Sequence, residues 1–236
     1  MIYILMFIIG ACVGSFLTLV SIRRNNNKNF IFGRSRCDHC NKTLKVVDNI
    51  PIISYLLLRG KSSCCNKKID PLYPIFEVIS GIGFVLGYLK FGFNFNLFIF
   101  LIIFSFCFLI AITDLKYMDI YDIDTMTLTI LLINFRVNNN NFTFDAIKSM
   151  CFLAVVFYAI YKITGVMGSG DALLSIPLGI VSSGIIDALY NFTYTFLLGA
   201  VVAIVLILFK IKDRKDYIPF GPFIVTTILG VLLCKL

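Results

Sequence analysis

Apolar positions fall in long blocks along this 236-residue chain, with the polar positions gathered between them. The first block, Ile2 to Ile22 (IYILMFIIGACVGSFLTLVSI), has close to the ~20 residues that cross a hydrocarbon core, and Arg23 and Arg24 end it. Further blocks occur at Ile75 to Leu89, Phe95 to Thr113, Met126 to Phe135, Phe152 to Ile163, Ala172 to Ile186, Phe192 to Phe209 and Tyr217 to Cys234. Together they predict an all-α polytopic membrane protein of about eight transmembrane helices. Several blocks are shorter than about 17 residues, so their helices extend through flanking polar positions or end in a protein-lined cavity. The predicted organisation is a first transmembrane helix at 1–22, a small loop domain at 23–73 and a polytopic core at 74–236.

Composition excludes a water-soluble chain, since 59% of residues are hydrophobic, 15% aromatic and 14% charged. The net charge of +8 is confined to one place. Residues 23–73 carry 11 basic and three acidic side chains, and the remaining chain carries 10 of each. Beside membrane-like composition, that excess marks a cytoplasmic loop obeying the positive-inside rule rather than nucleic-acid binding. The charge follows the first block and none precedes it, which predicts a retained helix with its amino end outside, not a cleaved signal peptide. Alternation then puts the basic loop and the stretches 114–124, 164–171 and 210–216 on the cytoplasmic face, and the polar turn from Arg136 to Asn141 outside. Lys210, Lys212, Arg214 and Lys215 agree with that orientation. The loop can also be held against anionic lipid headgroups. The asparagine runs at 25–27 and 138–141 are connectors.

Acidic residues are scarce outside the loop, and two groups lie beside predicted cytoplasmic helix ends. Asp122 and Asp124 precede the run beginning at Thr125, where acids cap a helix and favour its positive end. Asp213 and Asp216 sit among basic residues as a solvated face. Asp114 closes the Phe95 block near the negative end of its helix, a placement with a cost and no local benefit; it is either a functional group or a solvated loop carboxylate. Asp171 follows Gly168-Ser169-Gly170, glycines that let another chain approach closely, and is either functional or an N-cap. Brought together, the two would form an aspartic-protease pair, one carboxylate ionised to activate water and one protonated to polarise the carbonyl. The sole histidine, His39, leaves no H-E-x-x-H site and no base for an intramembrane serine dyad.

Cys37-Asp38-His39-Cys40 and, 24 residues after Cys40, Cys64-Cys65 resemble half of a zinc ribbon and an imperfect second half. Regular spacing would put cysteines at 62 and 65, but position 62 is Ser62, so a four-ligand site needs Cys64 or His39 as substitute. A stable disulfide is not expected in a reducing cytosol. Cys12, Cys107, Cys151 and Cys234 read as small buried hydrophobes. The C-x-x-C pair Cys37/Cys40 also admits a membrane thiol oxidoreductase, and the buried acids a transporter, although no inverted repeat is visible.

An ordered series of motifs resembles the type IV prepilin peptidases over nearly the whole chain. The residues are Gly14-Ser15-Phe16-Leu17; Ser35-Arg36-Cys37 with Cys40; Asp48-Asn49-Ile50-Pro51 leading to Ser54-Tyr55; Arg59-Gly60-Lys61; and Tyr73-Pro74 with Glu77. Asp114-Leu115 with Asp122, Gly165 to Asp171 (GVMGSGD) and Ile218-Pro219-Phe220-Gly221-Pro222 follow. The resemblance implies catalytic aspartates at Asp114 and Asp171, supported by Gly168, Gly170 and Asp122. It implies cleavage of the basic leader of type IV prepilins or pseudopilins, at the cytoplasmic face of the bacterial inner membrane, in type IV pilus, type II secretion or competence systems. In many members the new amino terminus is then methylated from S-adenosylmethionine, much of that activity belonging to the loop domain, while proteolysis needs no metal. A basic leader gives the loop's positive charge no role in attracting substrate. Three positions depart from the family pattern: Ser62 for Cys, Tyr121 for Pro before Asp122, and Leu173 for a Lys. The loop has no glycine-rich dinucleotide fingerprint to locate the methyl donor.

Overall fold

The apolar blocks form helices, one block being divided between two of them. The computed structural model describes residues 1–26, 35–37, 39–165, 167–213 and 216–235. Asn27, Asp38, Val166, Arg214 and Lys215, which enter the sequence patterns above, lie outside the described residues. Among the described residues the helices are α1 (Ile2–Asn25), α2 (Ile53–Leu57), α3 (Leu72–Phe91), α4 (Phe95–Tyr117), α5 (Asp122–Asn138), α6 (Phe144–Thr164), α7 (Ser169–Val181), α8 (Ile185–Leu208) and α9 (Gly221–Cys234). No strand accompanies them there, only a short 3-10 helix at Val46–Asn49 and two isolated bridges in the cysteine loop.

Five helices, α1, α3, α4, α6 and α8, are long and apolar enough to cross a membrane, whereas α7 and α9 are apolar but shorter. The protein is therefore an integral membrane protein. Three boundaries differ from the hydrophobic pattern. The block Ala172 to Ile186 is broken, because α7 stops at Val181 and Ile185 already belongs to α8, which starts seven residues before Phe192. The intervening Ser182-Ser183-Gly184 is not polar enough to interrupt a hydropathy run, yet it breaks the helix. The last helix begins at Gly221, after Pro219, not at Tyr217. Arg136, expected in an outside turn, lies within α5 and is 2% exposed.

The chain divides into two compact units, Met1–Leu97 and Phe98–Leu236. In the first, α1 packs along α3 through small residues. A Cβ on Gly10 would meet the Ser80 carbonyl oxygen at 2.7 Å, and one on Gly14 would meet Ser80 Cβ at 2.6 Å. The Ser80 hydroxyl donates to the Gly10 carbonyl at 2.7 Å. Such interhelical bonds average about 0.6 kcal/mol, so close backbone packing is the larger contribution to this pairing. Buried Glu77 of α3 accepts the Ile52 N–H at 2.7 Å, anchoring the polar loop to the helix pair.

In the second unit, α7 packs against α5, α6, α8 and α9. Gly179 lies so close to α6 that an added Cβ would sit 2.4 Å from Met150 Cα. An aromatic file fixes the start of α9: ring centroids are 4.6 Å apart for Phe192 and Phe196, 4.8 Å for Phe196 and Phe220, and 5.9 Å for Phe220 and Phe223. Farther along, the Thr195 hydroxyl of α8 donates to that of Thr227 in α9 at 2.9 Å.

Candidate active site

Three helix ends meet around two aspartates. Asp114, in the last turn of α4, is 5% exposed, and Asp171, in the first turn of α7, is 9% exposed. The two are near enough for the charge of Asp171 to act on Asp114, as does that of exposed Asp119. Asp114 Oδ2 accepts the backbone N–H of Gly221, the first residue of α9, at 2.8 Å. This contact answers the misplacement seen in the sequence. An acid at a helix C-terminus costs about 0.3–1 kcal/mol, whereas a hydrogen bond to a charged group contributes about 1.5–3 kcal/mol. The positive end of α9 outweighs the negative end of α4.

Asp171 Oδ2 accepts the Gly168 N–H at 3.3 Å, as an acid in a first helical turn does. Its other oxygen, Oδ1, is buried and receives no hydrogen bond among the described residues. A buried carboxylate oxygen left in this way is the atom that a reacting water or a polarised carbonyl would engage.

Ile120 wedges the site together. A Cβ on Gly170 would meet Ile120 Cβ at 2.7 Å, and one on Gly221 would meet Asp114 Oδ2 at 2.7 Å and Ile120 Cδ1 at 3.2 Å. Glycine at 170 and 221 is thus a steric requirement of the site. At Gly168 an added Cβ would meet only Asp171 Oδ2, at an ordinary 3.4 Å, so what that residue contributes is its N–H. Of the two acids opening α5, Asp122 is exposed and Asp124 is buried, and the N-cap position itself is Tyr121. Composition pointed to carboxylates, so Ile120 went unmarked and Gly221 entered only as part of a motif, without its role as donor to Asp114. The signal for Gly221 was the Gly-Pro pair at the start of an apolar run.

The cysteines form a second constellation in the first unit. Two knuckles repeat one backbone pattern. In the first, the Cys37 N–H donates to the Lys42 carbonyl and the Asn41 N–H to the Cys37 carbonyl, both at 2.9 Å; in the second, Ser62 bonds Lys67 at 2.8 Å and Asn66 bonds Ser62 at 2.9 Å. Asn41 and Asn66 take matching positive φ angles of 57° and 56°. Ser62 therefore stands where Cys37 stands in the first knuckle, and Cys65 matches Cys40. Cys64 supplies the missing sulfur: the Sγ atoms of Cys37, Cys40, Cys64 and Cys65 all lie within 4.8 Å of one another. Cys37 and Cys65 are separated by 3.8 Å, about the spacing of two thiolates on a tetrahedral ion with metal–sulfur bonds of about 2.3 Å. Cys40 and Cys64 are 3.1 Å apart. His39 is exposed and bonds the Lys68 carbonyl at 3.2 Å, and the fourth side chain gathered with Cys37, Cys40 and Cys65 is Cys64.

Burial opposes the Cys37 thiolate, but the Ser62 hydroxyl, the Cys40 and His39 backbones and the Cys64 thiol bring its pKa down to about 6. At Cys64 the Ser62 hydroxyl favours the thiolate, but Cys40, burial and the Cys37 charge prevail and push it up to about 12. Four cysteine sulfurs gathered this closely are the kind of donor set a soft divalent cation stabilises.

A helix-rich membrane protein with two buried aspartates at converging helix ends is the class that fold and site define. The chain belongs to the type IV prepilin peptidase family. Residues 8–91 match the bacterial peptidase A24 N-terminal domain and residues 101–208 the type IV leader peptidase family. The prepilin leader peptidase/N-methyltransferase of Bacillus subtilis (strain 168) is 27% identical over 225 residues, covering 93% of this chain and 89% of its own length. That of Neisseria gonorrhoeae is 31% identical over 199 residues, covering 80% and 66%. That of Myxococcus xanthus (strain DK1622) is 36% identical over 89 residues, covering 38% of this chain and 27% of its own. No solved structure matches significantly.

Proposed function

We propose that the chain is a membrane aspartic endopeptidase in which Asp114 and Asp171 are the catalytic pair, removing the leader of type IV prepilins or pseudopilins and then N-methylating the new amino terminus. The observation that carries the proteolytic part is the pair of buried carboxylates at converging helix ends, Asp171 within electrostatic reach of Asp114 and its Oδ1 unengaged among the described residues. The ionised carboxylate takes a proton from water as the water oxygen attacks the scissile carbonyl carbon, and the protonated partner gives its proton to the carbonyl oxygen. In the collapse of the tetrahedral intermediate the C–N bond breaks. The first carboxyl then passes its proton to the departing amine, and the partner recovers its own from the hydroxyl as the carbonyl re-forms.

The relatives' names, prepilin leader peptidase/N-methyltransferase, support this substrate and the second activity. S-adenosylmethionine would supply the methyl group. We place that activity with the loop domain at 23–73 and the peptidase in the core at 74–236. The basic loop supports a site facing the cytoplasm at the bacterial inner membrane, since positive charge is retained on that side. Zinc held by Cys37, Cys40, Cys64 and Cys65 would shape the loop, with no part in proteolysis.

The test replaces Asp114 and Asp171 separately by Asn and follows prepilin processing in membranes. Loss of cleavage in both variants is expected, and normal cleavage by either excludes that residue from an essential role.

A further inference from the structure

Arg136 is a charged side chain in the interior of the second unit, 2% exposed, and the proteolytic chemistry does not use it. All of its guanidinium nitrogens are engaged. Nε and Nη2 donate to the Asn141 carbonyl at 3.1 and 2.8 Å, and Nη1 donates to the carbonyls of Ile180 and of Ser182, the latter at 2.8 Å. Ile180 and Ser182 are the end of α7, whose first turn carries Asp171.

The need for such a group follows from the length of α7. Thirteen residues make a rod of about 20 Å, against a hydrocarbon core of about 30 Å. A helix that starts at one membrane face and stops this early leaves its last carbonyls at a depth without water. The fold answers three of them, at Leu178, Gly179 and Ile180. The Ser182 hydroxyl donates to the Leu178 carbonyl at 3.0 Å, the Ser182 N–H to the Gly179 carbonyl at 3.2 Å, and Arg136 to Ile180. A cation at this end also matches the negative pole of the helix. Nearby, Asp187 places its charge within reach of Arg136 and pairs with Lys235, while Asn191 donates to the Ser182 hydroxyl at 2.8 Å.

We infer that Arg136 is a positioning residue for catalysis. By bridging the carbonyls on either side of the α7 terminus to α5, it sets the axial position of α7 and so the place of Asp171 relative to Asp114. The helix is held at both ends, by Arg136 at its C-terminus and by Ile120 wedged against Gly170 at its N-terminus. Slippage by one residue rise, about 1.5 Å, would break the Arg136 bridge and carry Asp171 out of register with its partner. This inference rests on Asp171 being one of the catalytic carboxylates.

The experiment uses the purified full-length chain in detergent and a peptide spanning a prepilin leader and its first apolar segment, with rates expressed per mole of folded enzyme. Arg136→Met is expected to lower kcat about tenfold, within the range misplacement by about an ångström produces, with KM within about twofold of wild type. Arg136→Lys, which keeps the charge and one carbonyl contact, is expected to recover kcat to within about threefold of wild type. The inference is overturned if Arg136→Met retains wild-type kcat, if KM rises in step with the loss, or if the lysine variant does no better than the methionine one. Failure of both variants to fold overturns it too, because that assigns Arg136 to stability alone. Asp171→Asn run in parallel separates the two questions: normal cleavage by that variant removes the catalytic assignment itself, whatever Arg136 does.

Discussion

The aspartate site and the cysteine knuckles solve the same problem, gathering polar groups in an apolar protein, at opposite ranges along the chain. Asp114 and Gly221 are 107 residues apart and meet only because separate helices end at one place. Cys37 and Cys65 are 28 apart, and Cys40 and Cys64 are 24 apart, each knuckle closed by its own short backbone bonds. The first site depends on helix packing and the second on turn geometry. A substitution that disturbs one should therefore leave the other standing.

The sharpest break of that comparison is at the carboxylates. Asp114→Asn and Asp171→Asn should each lower leader cleavage by about a thousandfold or more, as loss of a group acting in both proton transfers implies. Methylation of a pre-cleaved peptide should continue, and its disappearance in the same variants would merge the two activities into one site. Next comes Gly221→Ala, whose Cβ would lie 2.7 Å from Asp114 Oδ2. Cleavage should fall about 10- to 100-fold, because the carboxylate must move or lose its donor; an unimpaired kcat would show that the α9 terminus does not hold Asp114. A smaller and paired effect is expected at the G-x-G-D motif. Gly170→Ala meets Ile120 at 2.7 Å and should cost about tenfold in kcat, whereas Gly168→Ala makes only a 3.4 Å contact and should stay within about twofold. Equal losses at the two positions would remove the steric argument.

The smallest effect on cleavage should come from the knuckles. Purified protein is expected to carry one zinc per chain, measured by elemental mass spectrometry, and Cys65→Ser should lose it while cleavage stays within about twofold. The double change Ser62→Cys with Cys64→Ser restores regular spacing and should keep the metal. A double variant without zinc would mean that Cys64 holds a place that a thiol at position 62 cannot fill.

Much of this was legible in the sequence, for identifiable reasons. Charge on the loop and apolarity of the blocks follow from transfer energetics, so the polytopic all-α class could be read directly. Asp114 stood out because it sat at the wrong pole of its helix, and Asp171 because two glycines preceded it. What could not be read was the remedy. The donor for Asp114 is a backbone N–H, carried by every residue except proline, so composition gives it no mark. Ile120 looked like any apolar loop residue, and its role exists only where Gly170 and Gly221 both face it. Arg136 looked like a solvated turn cation because hydropathy measures a residue's cost in lipid and says nothing of carbonyls waiting at the end of another helix. Spacing pointed to the cysteines that cluster in the loop but not to the residue that replaces a cysteine at position 62. Only the matching bonds at Ser62 and Cys37 and the inward sulfur of Cys64 decide that.

The hydrogen bond from Gly221 to Asp114 also bears on how the molecule is made. At a synthesis rate of about 5–20 residues per second, the 107 residues between them correspond to about 5–20 s in which α4 and its aspartate have been synthesised without the α9 terminus. During that interval the nascent chain holds the Asp114 carboxylate without its final partner. Ribosome-bound intermediates ending before residue 221 should therefore be proteolytically silent, and a cell would be protected from a half-built protease by the order in which its helices are synthesised.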